Sequence, residues 1–440
     1  MSSNVAPKRS KLTTFSWALW DWAEQPYPTL MQTFIFPVYL TSAVASGIKN
    51  ADQQLGWATA IAGVLLALIA PVLGRRSDET GRRKFWLLIN TGILIAITAA
   101  SFFVEPKPEY FLFGLVLYGL GSVIQESAFI NYYAMLKGVT TEKNIGRVSG
   151  YAWGLGYVGG IILLLICLVG FYLPEDHHFW FGLSKEGSMN IRTIFLFAAG
   201  WMLIFTIPLL IWVPEIAKKS GAKKESIIAS YAGLWDQLKT LRQQAPETFK
   251  FLISSAVYRD GLAGVFTFGA VLGTLAFKFE PTQIIIYGIA ANVVAAIGAA
   301  IGGRLDDIFG SRAVILGSLI GLISSAVALF LLRDMGQADY WIFGLLLTLF
   351  VGPAQASSRT FVARFTPHGR EGEVFGLYQT TGRAISFLSG SMWALSIGIA
   401  NAISGGTNNT IYGIWGIVLI LIVGAFLLSR VHPRPAVLEN

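Results

Sequence analysis

Stretches of about twenty mostly apolar residues recur along the whole of this 440-residue chain, and that is the length an α-helix needs to cross a ~30 Å hydrocarbon core. A soluble domain would alternate polar and apolar positions and carry about 25% charged residues. Here 54% of residues are hydrophobic and 13% are charged, too few to cover a water-facing surface. The fold class expected is an all-α membrane protein of twelve transmembrane helices. Spans fall near 15–47, 54–73, 85–104, 109–136, 147–173, 193–214, 249–276, 283–303, 313–332, 340–365, 373–398 and 411–429.

The formal charge of +8 is placed by topology, which excludes a nucleic-acid reading. Lys8, Arg9 and Lys11 precede the first span. Arg75, Arg76, Arg82, Arg83 and Lys84 follow the second, and Lys218, Lys219, Lys223, Lys224, Lys239 and Arg242 lie between the sixth and seventh. Loops on the opposite side carry mostly one each: Lys49, Lys107, Lys185, Lys278 and Arg333. The positive-inside rule puts both termini in the cytoplasm. The first apolar run outlasts the apolar core of a leader peptide and no small-residue cleavage site follows, so it is expected to remain as a span.

The single cysteine, Cys167, lies in the fifth span and is expected to pack, since it has no partner for an intrachain disulfide. His177 and His178 stand beside Glu175 and Asp176 in an outer loop, where a solvated loop is favoured over a metal site. No metal, cofactor or catalytic constellation is expected, and the chain is expected to be a monomer in the bilayer.

Charge runs and spans divide the chain into a first six-helix bundle (1–214), a cytoplasmic linker (215–248) and a second six-helix bundle (249–440). In the linker Tyr231, Leu234, Trp235, Leu238 and Leu241 fall at helical spacing, as in an amphipathic helix resting on the membrane face or on the protein itself. The halves repeat one another. Gly74, Asp78, Gly81, Arg82 and Arg83 after the second span correspond to Gly303, Asp307, Gly310 and Arg312 after the eighth. Gly146, Gly150 and Gly156 correspond to Gly372, Gly376 and Gly382, and Gln125 to Gln355. Duplicated bundles around a midplane site are the architecture of alternating access. The repeated glycines allow tight turns and close helix approach, and the aspartates can meet arginines or a helix N-terminus. This is the pattern of a conformational latch.

The loop motif of glycine, acid, glycine and a basic run resembles that of the major facilitator superfamily, and the resemblance covers the full chain. Trp17-Ala18-Leu19-Trp20-Asp21-Trp22-Ala23 with Phe36-Pro37-Val38-Tyr39, Tyr258-Arg259-Asp260-Gly261 and Phe375-Gly376-Leu377-Tyr378 are similar to its vacuole-effluxer-like branch, linked to amino-acid efflux after autophagy. The resemblance implies a transporter in which spans 1, 4, 7 and 10 line the cavity. Two departures weaken a drug-antiporter reading. Glu126 is the ionisable residue of the fourth span where such proteins carry an arginine, and the glycine-rich fifth span has no proline.

Seven ionisable residues lie deep in apolar spans: Asp21, Glu24, Glu126, Arg259, Asp260, Arg359 and Arg383. Each costs at least ~2.5 kcal/mol near the bilayer centre and needs a partner or a wet cavity. Only Arg383 lies outside the four implied cavity spans. The first half supplies three acids, and the second supplies three arginines and one acid. Either salt bridges between the halves close a gate, or a zwitterionic substrate bridges them. In the second case its carboxylate meets Arg383 or Arg359, whose planar fork suits it, and its amine meets Glu126 or Asp21. The plain alternative is a structural buried ion pair, for Arg259 with Asp260 and for Asp21 near the cytoplasmic end.

Helical spacing groups Asp21, Glu24 and Gln25, then Gln355 with Arg359, and Gln379 with Arg383. The substrate-binding candidates are thus Glu24, Gln25, Glu126, Arg259, Gln355, Arg359, Gln379 and Arg383. Pro26 and Pro28 should kink or break the first span. Tyr27, Tyr132, Tyr133 and Tyr157 are expected to pack more than to bind. No histidine lies in a span, so a coupling proton would ride on a carboxylate, Glu24 or Glu126 first, then Asp21 or Asp260. The function expected is a secondary transporter of a small polar metabolite, amino acids favoured, in a bacterial plasma membrane. Another organic anion and a non-transporting receptor of the same fold are the alternatives. An enzyme is not expected, since no nucleophile–base pair stands out.

Overall fold

Inside a hydrocarbon layer each backbone N–H and C=O must be satisfied within its own segment, which selects helices. The computed structural model describes residues 10–49, 51–172, 179–215, 239, 241–366, 369–405 and 409–432, and these contain helices and no strand. The His177–His178 pair and positions 231–238 of the linker lie outside the described residues. The long helices are α1 (Lys11–Glu24), α2 (Ala51–Thr80), α3 (Arg83–Ala100), α4 (Phe111–Ala134), α5 (Ile145–Cys167), α6 (Met189–Trp212) and α7 (Pro246–Leu275). They continue as α8 (Pro281–Phe309), α9 (Ser311–Leu331), α10 (Leu345–Phe365), α11 (Glu371–Ala384), α12 (Leu388–Ser404) and α13 (Gly413–Ser429).

Ten helical segments among the described residues are long and apolar enough to cross a membrane. The segment 11–44 and α7 are comparable in length but carry buried charge. Leu112 and Ile308 are each 71% exposed, and apolar side chains bare to that degree suit a surface turned to lipid. The chain is an integral, multi-pass membrane protein.

Pro26 and Pro28 do not break the first segment. Gln25 and Pro26 keep helical φ/ψ angles, and the chain runs on as wide π-helical turns over Tyr27–Phe34. A proline removes an N–H and crowds the carbonyl four residues back, and widening the turn relieves both. The eleventh segment is one membrane-length segment, Glu371–Ser404, made of two helices, α11 and α12, that meet at Ile385–Phe387.

Both described ends of the chain lie on one side, called here the terminal side. Thr13 Oγ1 donates to the Trp212 carbonyl at 3.2 Å, Arg312 donates to the Ser429 carbonyl at 2.8 Å, and the His432 N–H donates to Glu247 at 2.5 Å. The halves meet most extensively where α2 lies against α11 and α8 against α5. Glycine permits both crossings: a methyl group on Gly74 would strike the Gly372 backbone, and one on Gly303 would strike Gly146 and Gly150. Among the described residues, hydrogen bonds between the halves run from the terminal rim inward to the level of Arg383.

Candidate functional site

Arg383 stands twelve residues into α11, about 18 Å from the rim at 1.5 Å per residue, and so near the middle of a bilayer. There it pairs across the halves with Glu126 of α4. Gln379, one turn earlier, donates to the second oxygen of Glu126 and accepts from Arg259 of α7 at 3.0 Å. The Arg259 guanidinium also donates to the Tyr378 carbonyl at 3.0 Å and lies 3.7 Å above the Tyr378 ring. Four expected residues thus form one chain of charge-assisted hydrogen bonds. Arg383 also lines a polar cavity of about 170 Å³ with Gln32, Thr59, Tyr118 and Ser122. A second cavity of about 410 Å³, walled by apolar residues that include the exposed Ile301 and Phe309, lies on the outer surface of α8, α9 and α10.

Arg359 is nearer the terminal rim and 1% exposed. Its guanidinium donates to Asp21 Oδ2 at 3.1 Å, to Ser149 Oγ at 2.9 Å and to the Ser149 carbonyl at 2.7 Å. The rings of Trp17, Tyr132, Tyr133 and Trp153 surround it at 5.2–5.6 Å. Of the two readings open for Asp21 and Arg359, this arrangement is the salt bridge between halves. Glu24 is buried and accepts from Gln125, and among the described residues no cation lies within salt-bridge distance of it.

Other candidates sit elsewhere. Gln25 accepts from Thr29 at 3.0 Å and abuts Gly156 and Gly160 of α5, whereas Glu24 meets Gln125 of α4. Gln355 is half-buried on α10 and makes none of these contacts. The structural pair weighed as the alternative for Arg259 and Asp260 does not form. Consecutive helical residues point about 100° apart, and Asp260 turns instead to the start of α12, accepting from the Ser389 N–H at 2.5 Å and Ser389 Oγ at 3.2 Å. It satisfies an N–H that the chain break before α12 would leave unpaired. Tyr27 packs on Gly121 with its hydroxyl bonded to the Tyr118 carbonyl at 3.1 Å, and Cys167 is buried and unbridged.

At the rim Asp78 and Asp307, the aspartates expected to form a latch, cap helices of the opposite half. Asp78 accepts from the Gly372 and Glu373 N–H groups, both at 2.9 Å, at the start of α11. It also holds Arg83, which reaches across to Glu371 at 2.7 Å. Asp307 accepts from the Gly146 N–H at 2.7 Å and the Arg147 N–H at 3.0 Å at the start of α5, and from Arg364 at 3.2 Å. Gly81 and Gly310, at φ +64° and +81°, make turns that other residues enter only with strain. Two expected members stand apart. Arg82 is exposed, and Arg312 is spent on the Ser429 carbonyl, because residues flanking a turn cannot all face the crossing.

Beside the rim, burial pushes the Lys137 ammonium, which donates to the Thr366 carbonyl at 3.0 Å, below the usual lysine range. Hydrogen bonding to Glu373 raises the Arg370 guanidinium. Arg364, Glu371 and Ser149 were missed from sequence, and of these only Glu371, two residues after Gly369 at a helix start, carried a legible signal. No cluster of metal-ligating side chains occurs among the described residues.

This arrangement, two crossed helical halves hydrogen-bonded at one rim around a charged middle, is the fold of the major facilitator superfamily. It is similar to the solved proton:xylose symporter XylE, with a TM-score of 0.69 and 11% identity, over 96% of this chain and 94% of that one. It is also similar to a bacterial homologue of the iron transporter ferroportin in its outward-facing state, with a TM-score of 0.67 and 12% identity, over 96% and 99% of the two chains.

Residues 140–437 match the family described as "Vacuole effluxer Atg22 like", and the chain belongs to that family. The MFS-type transporter YxiO of Bacillus subtilis (strain 168) is 29% identical over 425 residues, 94% of each chain. Autophagy-related protein 22-1 of Neosartorya fischeri is 22% identical over 262 residues, 54% of this chain and 41% of the relative. The match therefore spans less than half of that fungal protein.

Proposed function

We propose that the protein is a secondary transporter that moves a small polar metabolite, an amino acid by preference, by alternating access between two six-helix bundles. The bundles are residues 1–214 and 249–440, joined by a linker over 215–248. The ten apolar segments, with 11–44 and α7, make twelve spans, and the basic loops orient both termini to the cytoplasm of a bacterial plasma membrane. In that orientation the latched rim is the cytoplasmic gate, held shut.

The observation that carries this reading is the cluster of Glu126, Gln379, Arg259 and Arg383. It joins the halves near mid-membrane and opens on a polar cavity through Arg383. A zwitterion can replace both ends of the Glu126–Arg383 pair, its carboxylate on the arginine and its amine on the glutamate. The preference for an amino acid rests on the resemblance to the vacuole-effluxer-like branch, and the family's effluxer description supports a transporter. A second reading, another organic anion such as a sugar acid or phosphorylated metabolite, is favoured by Arg383 itself being the charged residue on the cavity wall.

For coupling, Glu24 is the carboxylate assigned to a proton. It is buried, its partner is the Gln125 amide, and among the described residues no cation lies within salt-bridge distance of it.

The test is uptake and exchange in proteoliposomes, preceded by a thermal-shift screen of amino acids, sugars, organic acids and phosphorylated metabolites. Binding to the folded state alone adds about 2.7 kcal/mol at a hundredfold excess over Kd. Amino acids should raise the melting temperature, and Arg383→Ala should cancel the rise. A response to phosphorylated or sugar-acid compounds alone would replace the amino acid by an anion. No ligand-dependent exchange at all would leave a receptor. Transport by Glu24→Gln that still follows a pH gradient would remove Glu24 as the proton carrier.

A further inference from the structure

The Arg359 side chain belongs to the second half, yet almost everything that holds it belongs to the first. Asp21 and Trp17 come from α1, Tyr132 and Tyr133 from α4, and Ser149 and Trp153 from α5. The first half also builds this pocket without help from the arginine. Trp17 stacks on Tyr132 with centroids 4.3 Å apart, its indole N–H donates to the Tyr132 carbonyl at 3.2 Å, and the Tyr132 hydroxyl donates to Asp21 at 3.0 Å.

A rigid-body separation of the halves would withdraw the guanidinium and leave the rings and the carboxylate standing. An unpaired carboxylate buried among aromatic faces is costly and attracts a cation. The ring quadrupoles add to that attraction within ~6 Å and favour weakly hydrated organic cations over small metal ions.

We propose that this aromatic pocket is an organic-cation site, distinct from the Glu126–Arg383 cluster, in which Arg359 takes the place of a ligand while the terminal side is closed. A guanidinium or alkylammonium group enters when the halves part. It then competes with Arg359, so that its binding holds the rim open and its departure lets the rim close. Exposure of the site rests on the alternating-access reading above, whereas the pocket's affinity for a cation does not.

Two variants separate these statements. Arg359→Ala removes the guanidinium from the pocket, so that a cation can bind there without Arg359 first being withdrawn by separation of the halves. Tetramethylammonium or methylguanidinium at millimolar concentration should quench its tryptophan fluorescence and raise its melting temperature saturably, while sodium chloride at equal ionic strength does neither. Adding Asp21→Asn should abolish the response. Asp78→Asn with Asp307→Asn leaves the pocket intact but releases both rim caps. This protein should bind tetramethylammonium roughly tenfold more tightly than wild type, because more of it is in the competent state.

No saturable response in Arg359→Ala, or one that survives Asp21→Asn, overturns the site. If Arg359→Ala does not fold, the double rim variant decides alone, and its failure to bind overturns the proposal. Binding to Arg359→Ala but not to the double rim variant keeps the pocket as a cation site, and overturns its exposure by separation together with the alternating-access reading.

Discussion

Asp78 and Asp307 occupy repeated positions, each at the end of a long helix and each capping a helix of the other half, yet they are built in differently. Asp78 belongs to a buried network in which Arg83 spans it and Glu371, so a cation and an acid of opposite halves meet behind the cap. Asp307 is backed by Arg364 of its own half, and its ion-pair partner across the halves, Arg147, is 3.8 Å away and half exposed. The cap is the same in both, and the charge behind it is not. A helix-terminal carboxylate contributes about 0.5–2 kcal/mol through its N–H groups and the helix dipole. Breaking a buried ion pair costs about 3–5 kcal/mol, because the remaining charge is stranded. The first repeat should therefore hold the rim, and the second should align it.

The sharpest test measures the distance between spin labels at Lys143→Cys and Lys250→Cys, on opposite halves of the terminal side, with Cys167→Ser. Asp78→Asn should widen the rim in most molecules, a shift of about 3 kcal/mol, whereas Asp307→Asn should shift the same equilibrium by about 1 kcal/mol. Equal effects would show that Arg83 and Glu371 add nothing to the cap.

Next in size come the glycines. Gly74→Ala and Gly303→Ala each drive a methyl group into opposing backbone, and overpacking of this kind costs about 1–3 kcal/mol. Both should open the rim to a similar extent by the same label distance, since the crossings, unlike the charges, are alike. A large difference between them would mean that the halves do not close as one body.

Glu371→Gln leaves Arg83 with Asp78 and removes only the acid across the interface. The loss should be about 1–2 kcal/mol, read as a lower melting temperature that Asp78→Asn largely masks in the double variant. Arg147→Ala should change melting and label distance by less than about 0.5 kcal/mol, since an exposed pair at that separation is screened by solvent.

The capping contacts at the rim were legible because their residues are repeated. Glycine, acid, glycine and basic residue recur at fixed spacing, and Gly146 with Gly372 and Gly150 with Gly376 marked the helices they cross. Arg82 and Arg312 matched the pattern just as well and lie outside it, because spacing along a turn does not say which side chain meets the other half. The deep charges were also legible, since burial in an apolar span makes each one costly. Their partners were not. Arg259 and Asp260 are neighbours in sequence that diverge on the helix, while Arg383 and Glu126 lie 257 residues apart and meet only because the halves pack.

Hydrophobic run length, loop charge and the internal repeat pointed by themselves to a helical membrane protein, and composition alone suffices there because lipid permits so few backbone solutions. The tertiary structure decided which of the seven charges in the spans neutralise one another, how the first span passes two prolines, where the eleventh span changes from one helix to the next, and that Arg359 enters a ring of aromatic side chains belonging to the other half. Each of these depends on the direction of a side chain relative to a helix far away in sequence, and a one-dimensional pattern carries periodicity but not that direction.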